Sequence, residues 1–267
     1  MGTEPGECTW LGAHLPRRHP PVTRHTLARV PPPVVGFDLD MTLVDSADGI
    51  LATLEAVGAE LGVPPDRSAA RASIGLPLET VCGGWLPPEL VAAGVRRYRE
   101  LYPYVGITAT TLMPGAAGAV RAVRERGGRS LVVSAKVEPA VRAVLEHVGL
   151  EVDAVEGGSY GAEKGEALRR HGAVAYVGDH RGDVQGARAA GALAVAVPTG
   201  PHSRGQLLAA GADVVLDDLT AFPAWLEAWA WDQFTAQPAP GATGGPGAIG
   251  PAPRRTDRRA EARSRPA

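Results

Sequence analysis

Between Val34 and Ser46 the chain reads VVGFDLDMTLVDS, a β-branched apolar run that empties into two carboxylates one residue apart, Asp38 and Asp40. If the run is a strand, Leu39 points to the opposite side, so the two acids emerge together, with Thr42 and Asp45 close behind on the following turn. Two carboxylates about 4 Å apart repel by roughly 4 kcal/mol at an effective dielectric near 20, so one holds a proton or a cation lies between them. A divalent metal site is the chemistry this spacing suggests.

Three further clusters fall at the ends of later apolar runs. SLVVSAK places Ser134 at a strand end with Lys136 two residues on; a hydroxyl and the amides of a turn can cradle phosphate oxygens, while a solvated loop lysine is the simpler account of Lys136. GAEKGEALRR places Lys164 at a helix start, where an ammonium beside a helix N-terminus suits a dianionic phosphoryl group. YVGDHRGDVQGARAAG ends a strand at Asp179 and opens a helix at Asp183. Two more acids at the edge that carries Asp38 would complete an oxygen-ligand site for Mg²⁺.

The elements that must position these residues alternate. VVGFDLD, Ser130–Ala135, Ala173–Asp179, Ala192–Thr199 and Asp213–Asp218 read as strands, and Glu138–His147, Glu163–His171, Asp183–Ala190 and Ser203–Ala210 as helices between the later ones, which predicts a doubly wound parallel α/β sheet. Gly149, Gly172, Gly191 and Gly211 follow those helices as C′ caps would. The alternation breaks over residues 48–112, where Asp48–Leu61 and Pro88–Leu101 have helical periodicity and no strand is evident. An all-helical cap inserted directly after the acidic strand end would lie over the carboxyl edge of the sheet, where ligands of open α/β folds bind. The α/β core is then expected over residues 34–47 and 113–235. Residues 1–33, rich in Pro, Arg and His, and residues 236–267, rich in Pro, Gly and Arg, have the composition of disordered arms.

Composition narrows the class. With 267 residues, 45% of them hydrophobic, the chain can bury one good core, and a formal net charge of −2 provides no field for nucleic acid or an anionic membrane. Its two cysteines, Cys8 and Cys82, share no metal-binding spacing and suit a reducing cytoplasm. No apolar run approaches the roughly 18 residues of a membrane span, and the opening residues lack a basic region followed by an apolar one, so no secretory leader is expected.

These motifs, in this order, resemble those of the haloacid dehalogenase superfamily, in its phosphoglycolate-phosphatase-like branch with a helical cap. DLDMTLVDS matches the family's DxDxTLxDS and VGDHRGDVQGARAAG its GDxxxDxxxAxxAG, the likeness covering roughly residues 34–220. The resemblance implies a Rossmann-like core, with Asp38 as the nucleophile that accepts a phosphoryl group and Asp40 as the acid that protonates the leaving oxygen and then activates water. It implies Mg²⁺ held by Asp38, the backbone carbonyl of Asp40, Asp179 and Asp183, and phosphate binding by Thr42, Ser134 and Lys164. His180 stands where relatives usually carry Ser or Thr, and SAK where they often carry TNK; packing or solvent exposure is expected of His180 in preference to a contact with substrate.

The implied activity is hydrolysis of a small phosphomonoester, 2-phosphoglycolate-like or a sugar phosphate, by a cytoplasmic monomer or homodimer without a membrane or nucleic-acid partner. A sugar phosphomutase would use the same two Asp residues, but no cap signature for retaining the phosphoryl group is evident. Dehalogenation needs neither Asp40 nor a second acidic cluster. A non-catalytic metabolite-binding or interaction module would have no need of Asp38, Asp40, Lys164 and Asp179 together. The loop Ser73–Thr80, SIGLPLET, resembles the family's substrate-contacting cap loop.

Overall fold

The computed structural model describes residues 32–236, so all of the two expected arms but residues 32, 33 and 236, and Cys8 with them, lies outside the described residues. The chain enters β1 (Val34–Phe37) and β2 (Val44–Asp45), then runs through four helices, α1 (Ala47–Leu61), α2 (Arg67–Ala72), α3 (Leu78–Gly83) and α4 (Pro88–Val105), before returning in β3 (Thr111–Leu112). There follow α5 (Ala116–Glu125), β4 (Arg129–Val133), α6 (Glu138–His147), β5 (Ala154–Glu156), α7 (Lys164–His171), β6 (Ala175–Gly178), α8 (Arg181–Ala190), β7 (Leu193–Ala196), α9 (Arg204–Ala209), β8 (Val214–Val215) and α10 (Phe222–Ala236).

Six strands form a parallel sheet in the order β5-β4-β1-β6-β7-β8. The chain builds outward from β1 to β5 on one side, then crosses to β6 on the other, so the order reverses at β1. Such a switch point opens a crevice at the carboxyl ends of the central strands. Side-chain alternation splits the core in two: Val35, Phe37, Val132, Val177 and Val195 belong to one buried cluster, and Leu131, Val133, Tyr176, Ala194 and Ala196 to the other. A strand buried on both faces must be apolar at consecutive positions, which is why these runs lack the polar alternation of an exposed sheet. Phe222 of α10 closes the first face against Phe37, ring centroids 5.4 Å apart.

The helical segment α1–α4 leaves and re-enters the core through an antiparallel ribbon, Val44 opposite Leu112 and Asp45 opposite Thr111. Two crossings side by side bring both ends of the insert to the same point near the carboxyl end of β1. Helix α4 runs four residues beyond its expected end at Leu101, through Pro103. Its last turn is held because Tyr102 is buried, stacks on Tyr98 with ring centroids 5.4 Å apart and accepts the Gly106 amide at 2.9 Å through its carbonyl. The expected C′ glycines at 149, 172, 191 and 211 all take positive φ. Strands β2, β3 and β5 and helices α2, α3, α5 and α10 are absent from the sequence expectation, and β3, at Thr111–Leu112, is a strand inside the segment expected to be all-helical.

Candidate active site

β1 ends at Phe37, but the Asp38 amide still donates to the Val177 carbonyl at 2.8 Å, fixing Asp38 at the edge shared by β1 and β6. Beyond it the chain folds back: the Leu39 carbonyl accepts from the amides of Thr42, Leu43 and Val44 at 3.3, 2.9 and 3.0 Å. Met41 takes a φ of 59°, a left-handed conformation costly for a residue with a Cβ. The Thr199 hydroxyl donates to the Met41 carbonyl at 2.5 Å and secures the turn. Asp38 and Asp40 do line one cavity, but a loop brings them there, and the strand pleat invoked from the sequence has already ended.

Each acid has its own lysine. Asp38 is buried and its Oδ1 lies 2.8 Å from the Lys164 Nζ, which also reaches Asp183 Oδ1 at 2.7 Å and the Tyr176 hydroxyl at 3.0 Å. Tyr176 donates in turn to the Val133 carbonyl at 2.7 Å, so the ammonium is locked in place. Asp40 pairs with Lys136 at 3.1 Å through Oδ2 and accepts the Ser46 hydroxyl at 2.6 Å through Oδ1. Lys136, expected in solvent, is instead a half-buried ion-pair partner whose ammonium lies 4.5 Å from the centroid of the Tyr102 ring. The sequence reading left either a proton on one acid or a cation between Asp38 and Asp40; the structure gives each acid its own ammonium partner.

Asp179 and Asp183 complete the edge. Asp179 Oδ1 accepts the Thr42 hydroxyl at 2.8 Å. Asp183, at the third position of α8, accepts the His180 amide through Oδ2 at 2.9 Å, while the His180 ring accepts the Gly182 amide through Nδ1 at 3.0 Å. His180 thus caps α8 and packs edge-on against His202, ring centroids 4.3 Å apart, and burial lowers its pKa to about 4. Packing, one of the two expected outcomes, is its role. Thr42 and Lys164 stand behind the carboxylates, whereas Ser134 lines the cavity itself and accepts the Lys136 amide at 3.2 Å.

Carboxylate oxygens of Asp38, Asp179 and Asp183 lie within 4.8 Å of one another, all three residues buried. Three carboxylates against the one Lys164 ammonium leave a formal deficit of two positive charges. Burial, reinforced by Asp183, raises the pKa of Asp38 to about 7 against the opposing pull of Lys164, and burial with Asp183 and Asp38 raises Asp179 well above the usual range. A hard divalent cation matches both the oxygen donors and the missing charge. Space is kept beside Asp179 by Gly200, where a Cβ would come within 1.7 Å of Oδ2.

A cavity of about 350 Å³ extends from Asp38 and Asp40 between the core and the helical insert. The expected loop Ser73–Thr80 contributes Ser73, Ile74, Gly75, Leu76, Leu78 and Glu79 to its wall. Tyr102, Tyr176 and Ser46 are the neighbours that sequence reasoning did not single out, and Lys136 was read as a solvated loop lysine. Only the SAK segment held a signal, because a lysine two residues after a strand-end serine was already in view.

Residues 35–188 match the family model described as haloacid dehalogenase-like hydrolase. A protein named "Probable phosphatase IndB" from Dickeya dadantii is 35% identical over 205 residues, 69% of this chain and 89% of that one. Phosphoglycolate phosphatase from Synechococcus elongatus is 30% identical over 197 residues, 68% of this chain and 91% of that one. The solved structure of the haloacid dehalogenase-like family protein SP0104 from Streptococcus pneumoniae superposes with a TM-score of 0.65 at 26% identity, covering 74% of this chain and 97% of that one. Among the described residues no helix is long and apolar enough to cross a membrane. Fold, paired acidic clusters and relatives converge, and the chain belongs to the haloacid dehalogenase-like hydrolases as an enzyme of their phosphatase type.

Proposed function

We propose that the protein is a Mg²⁺-dependent phosphomonoester hydrolase that acts on a small phosphorylated metabolite through an aspartyl-phosphate intermediate. The observation that carries this reading is the arrangement of Asp38: buried at the head of a cavity, backed by Lys164 at 2.8 Å through one oxygen, with its other oxygen taking no hydrogen bond from the described residues. That free Oδ2 attacks phosphorus, and the bond from phosphorus to the leaving oxygen breaks as Asp40 gives that oxygen a proton. Asp40 then takes a proton from water, the water oxygen attacks phosphorus, and the bond to Asp38 breaks to release phosphate. Ser46 and Lys136 hold the Asp40 carboxyl in one orientation throughout.

Asp38, Asp179, Asp183 and the backbone carbonyl of Asp40 would hold Mg²⁺, which when bound supplies the positive charge that offsets the phosphoryl oxygens. Thr42 orients Asp179, Lys164 holds Asp38 and Asp183 from behind, and Ser134 offers a hydroxyl toward the phosphoryl group. The names of the two curated relatives support a phosphatase, and one of them makes 2-phosphoglycolate a probe worth including. The test is phosphate release with Mg²⁺ across small phosphomonoesters that include 2-phosphoglycolate and sugar phosphates. EDTA should abolish release and added Mg²⁺ restore it; undiminished turnover in metal-free buffer would overturn the metal assignment.

A further inference from the structure

We propose that the cavity in front of Asp38 selects phosphomonoesters whose leaving group is an uncharged, largely apolar body of ring size, over short carboxylic acids such as glycolate and over sugars. This inference rests on the phosphatase reading above and names the substrate class of that site.

The walls come from both sides of the cleft. Ile50 and Leu54 of α1, Ile74 and Leu78 of the loop and α3, and Tyr98 and Tyr102 of α4 surround the space. Its volume of about 350 Å³ falls at the lower end of the roughly 300–1,000 Å³ of cavities that enclose drug-sized ligands. A two-carbon acid would leave most of it to water held by apolar walls, and displacing such water favours binding of an apolar group.

Charge points the same way. The two cations in the lining are already engaged: Lys136 with Asp40 at 3.1 Å, and Arg99 with Glu79 at 2.7 Å. A substrate carboxylate would find both cations already partly neutralised and would have to compete with Asp40 or Glu79 for them. A sugar would lose water from several hydroxyls at once, and apolar walls return few hydrogen bonds. A leaving group with an apolar ring would meet this surface, with Tyr98 and Tyr102 among its walls.

The test compares kcat/KM, with Mg²⁺, for 2-phenylethyl phosphate, ethyl phosphate, 2-phosphoglycolate and glucose 6-phosphate. All four are esters of a primary carbon, so the bond broken is alike. The phenylethyl ester should exceed each of the others by about tenfold or more, the discrimination one methylene can achieve in an apolar pocket. Equal or greater efficiency with 2-phosphoglycolate or glucose 6-phosphate would overturn the inference. Leu78→Asp should bring the phenylethyl-to-ethyl ratio toward one; an unchanged ratio would place selectivity elsewhere. Calorimetry with 3-phenylpropylphosphonate and propylphosphonate, whose P–C bonds are not hydrolysed, separates the two readings. If no ester is cleaved but the phenyl compound binds about tenfold tighter, the phosphatase reading falls and the cavity inference stands. Equal binding of the two phosphonates overturns the inference whatever the turnover.

Discussion

Replacing Lys164 with Met removes the one ammonium that Asp38 and Asp183 share, at 2.8 and 2.7 Å, from a site where all three residues are buried. At those distances and an effective dielectric near 20, each contact contributes about 6 kcal/mol of gross attraction. Most of that is offset by the cost of taking the charges out of water, and removing one partner of a buried pair leaves a net loss of roughly 3–5 kcal/mol. The loss should depend on pH. Lys164 is lowered by burial, but Asp183 and Asp38 more than compensate and hold it well above 10.5, so its stabilisation is fully present below the unfolded value and lost only at higher pH. Asp38 moves the other way. Its folded pKa, about 7, already exceeds the unfolded 3.8, so its contribution to stability falls as pH rises through that window, and without Lys164 the folded value climbs further. Urea unfolding in EDTA, followed by tryptophan fluorescence, should show Lys164→Met less stable than the parent by roughly 3–5 kcal/mol at pH 8. The gap should be clearly smaller at pH 5, where the carboxylates can take up protons. A gap under about 1 kcal/mol at pH 8, or one equal at both pH values, would refute the account of Lys164 as the counter-charge of this cluster.

Asp38→Asn should lower turnover by on the order of 10⁴ or more, as loss of a nucleophile does. The metal-free variant should nonetheless unfold at higher urea than the parent at pH 8, since a carboxylate disfavoured by burial has gone while Lys164 keeps Asp183; a destabilised variant would contradict that. Asp40→Asn should still take a phosphoryl group from 4-nitrophenyl phosphate and then stall, giving a burst of nitrophenol and a steady rate lower by about 10²–10⁴, the usual contribution of a general base. Stopped-flow absorbance reads both phases, and absence of a burst with equal losses on activated and unactivated esters would remove Asp40 from the acid–base role.

Asp38, Asp40, Asp179 and Asp183 were legible because each pair is local. A strand end and the turn or helix start after it lie within a few residues, so locating the strand ends was enough to find them, although the turn after Phe37, and not the strand period, brings Asp38 and Asp40 together. Their lysines were harder for a physical reason: Lys164 is 126 residues from Asp38 and 19 from Asp183, and only the parallel pairing of β1 with β6 closes that distance. Nothing local distinguishes Lys136 from a solvated loop lysine; Tyr102, on a helix of the insert, covers it in part. Strand β5 escaped because Ala154, Val155 and Glu156 form a short half-buried edge without an apolar run. The inward face of the insert was illegible for a different reason. In α1 the same apolar stripe serves both to pack the insert and to wall the cavity, as Ile50 and Leu54 do, and periodicity alone does not divide those duties.

The separate lysines give two acids that line one cavity different surroundings in the proposed reaction. Asp38 shares its surroundings with Asp179 and Asp183, so a dication bound by that triad acts most strongly on Asp38 and drives it toward the ionised nucleophile. The Asp40 carboxyl lies outside the triad, tied to Ser46 and Lys136, and contributes to metal binding only through its backbone in the proposed scheme. Pairs of titratable groups whose environments differ in this way are the usual basis for dividing nucleophile from acid within one site. The turn at Met41 makes the division possible. It carries the chain from the crowded sheet edge to the insert side within two residues, and the positive φ there is the strain that this short reversal requires.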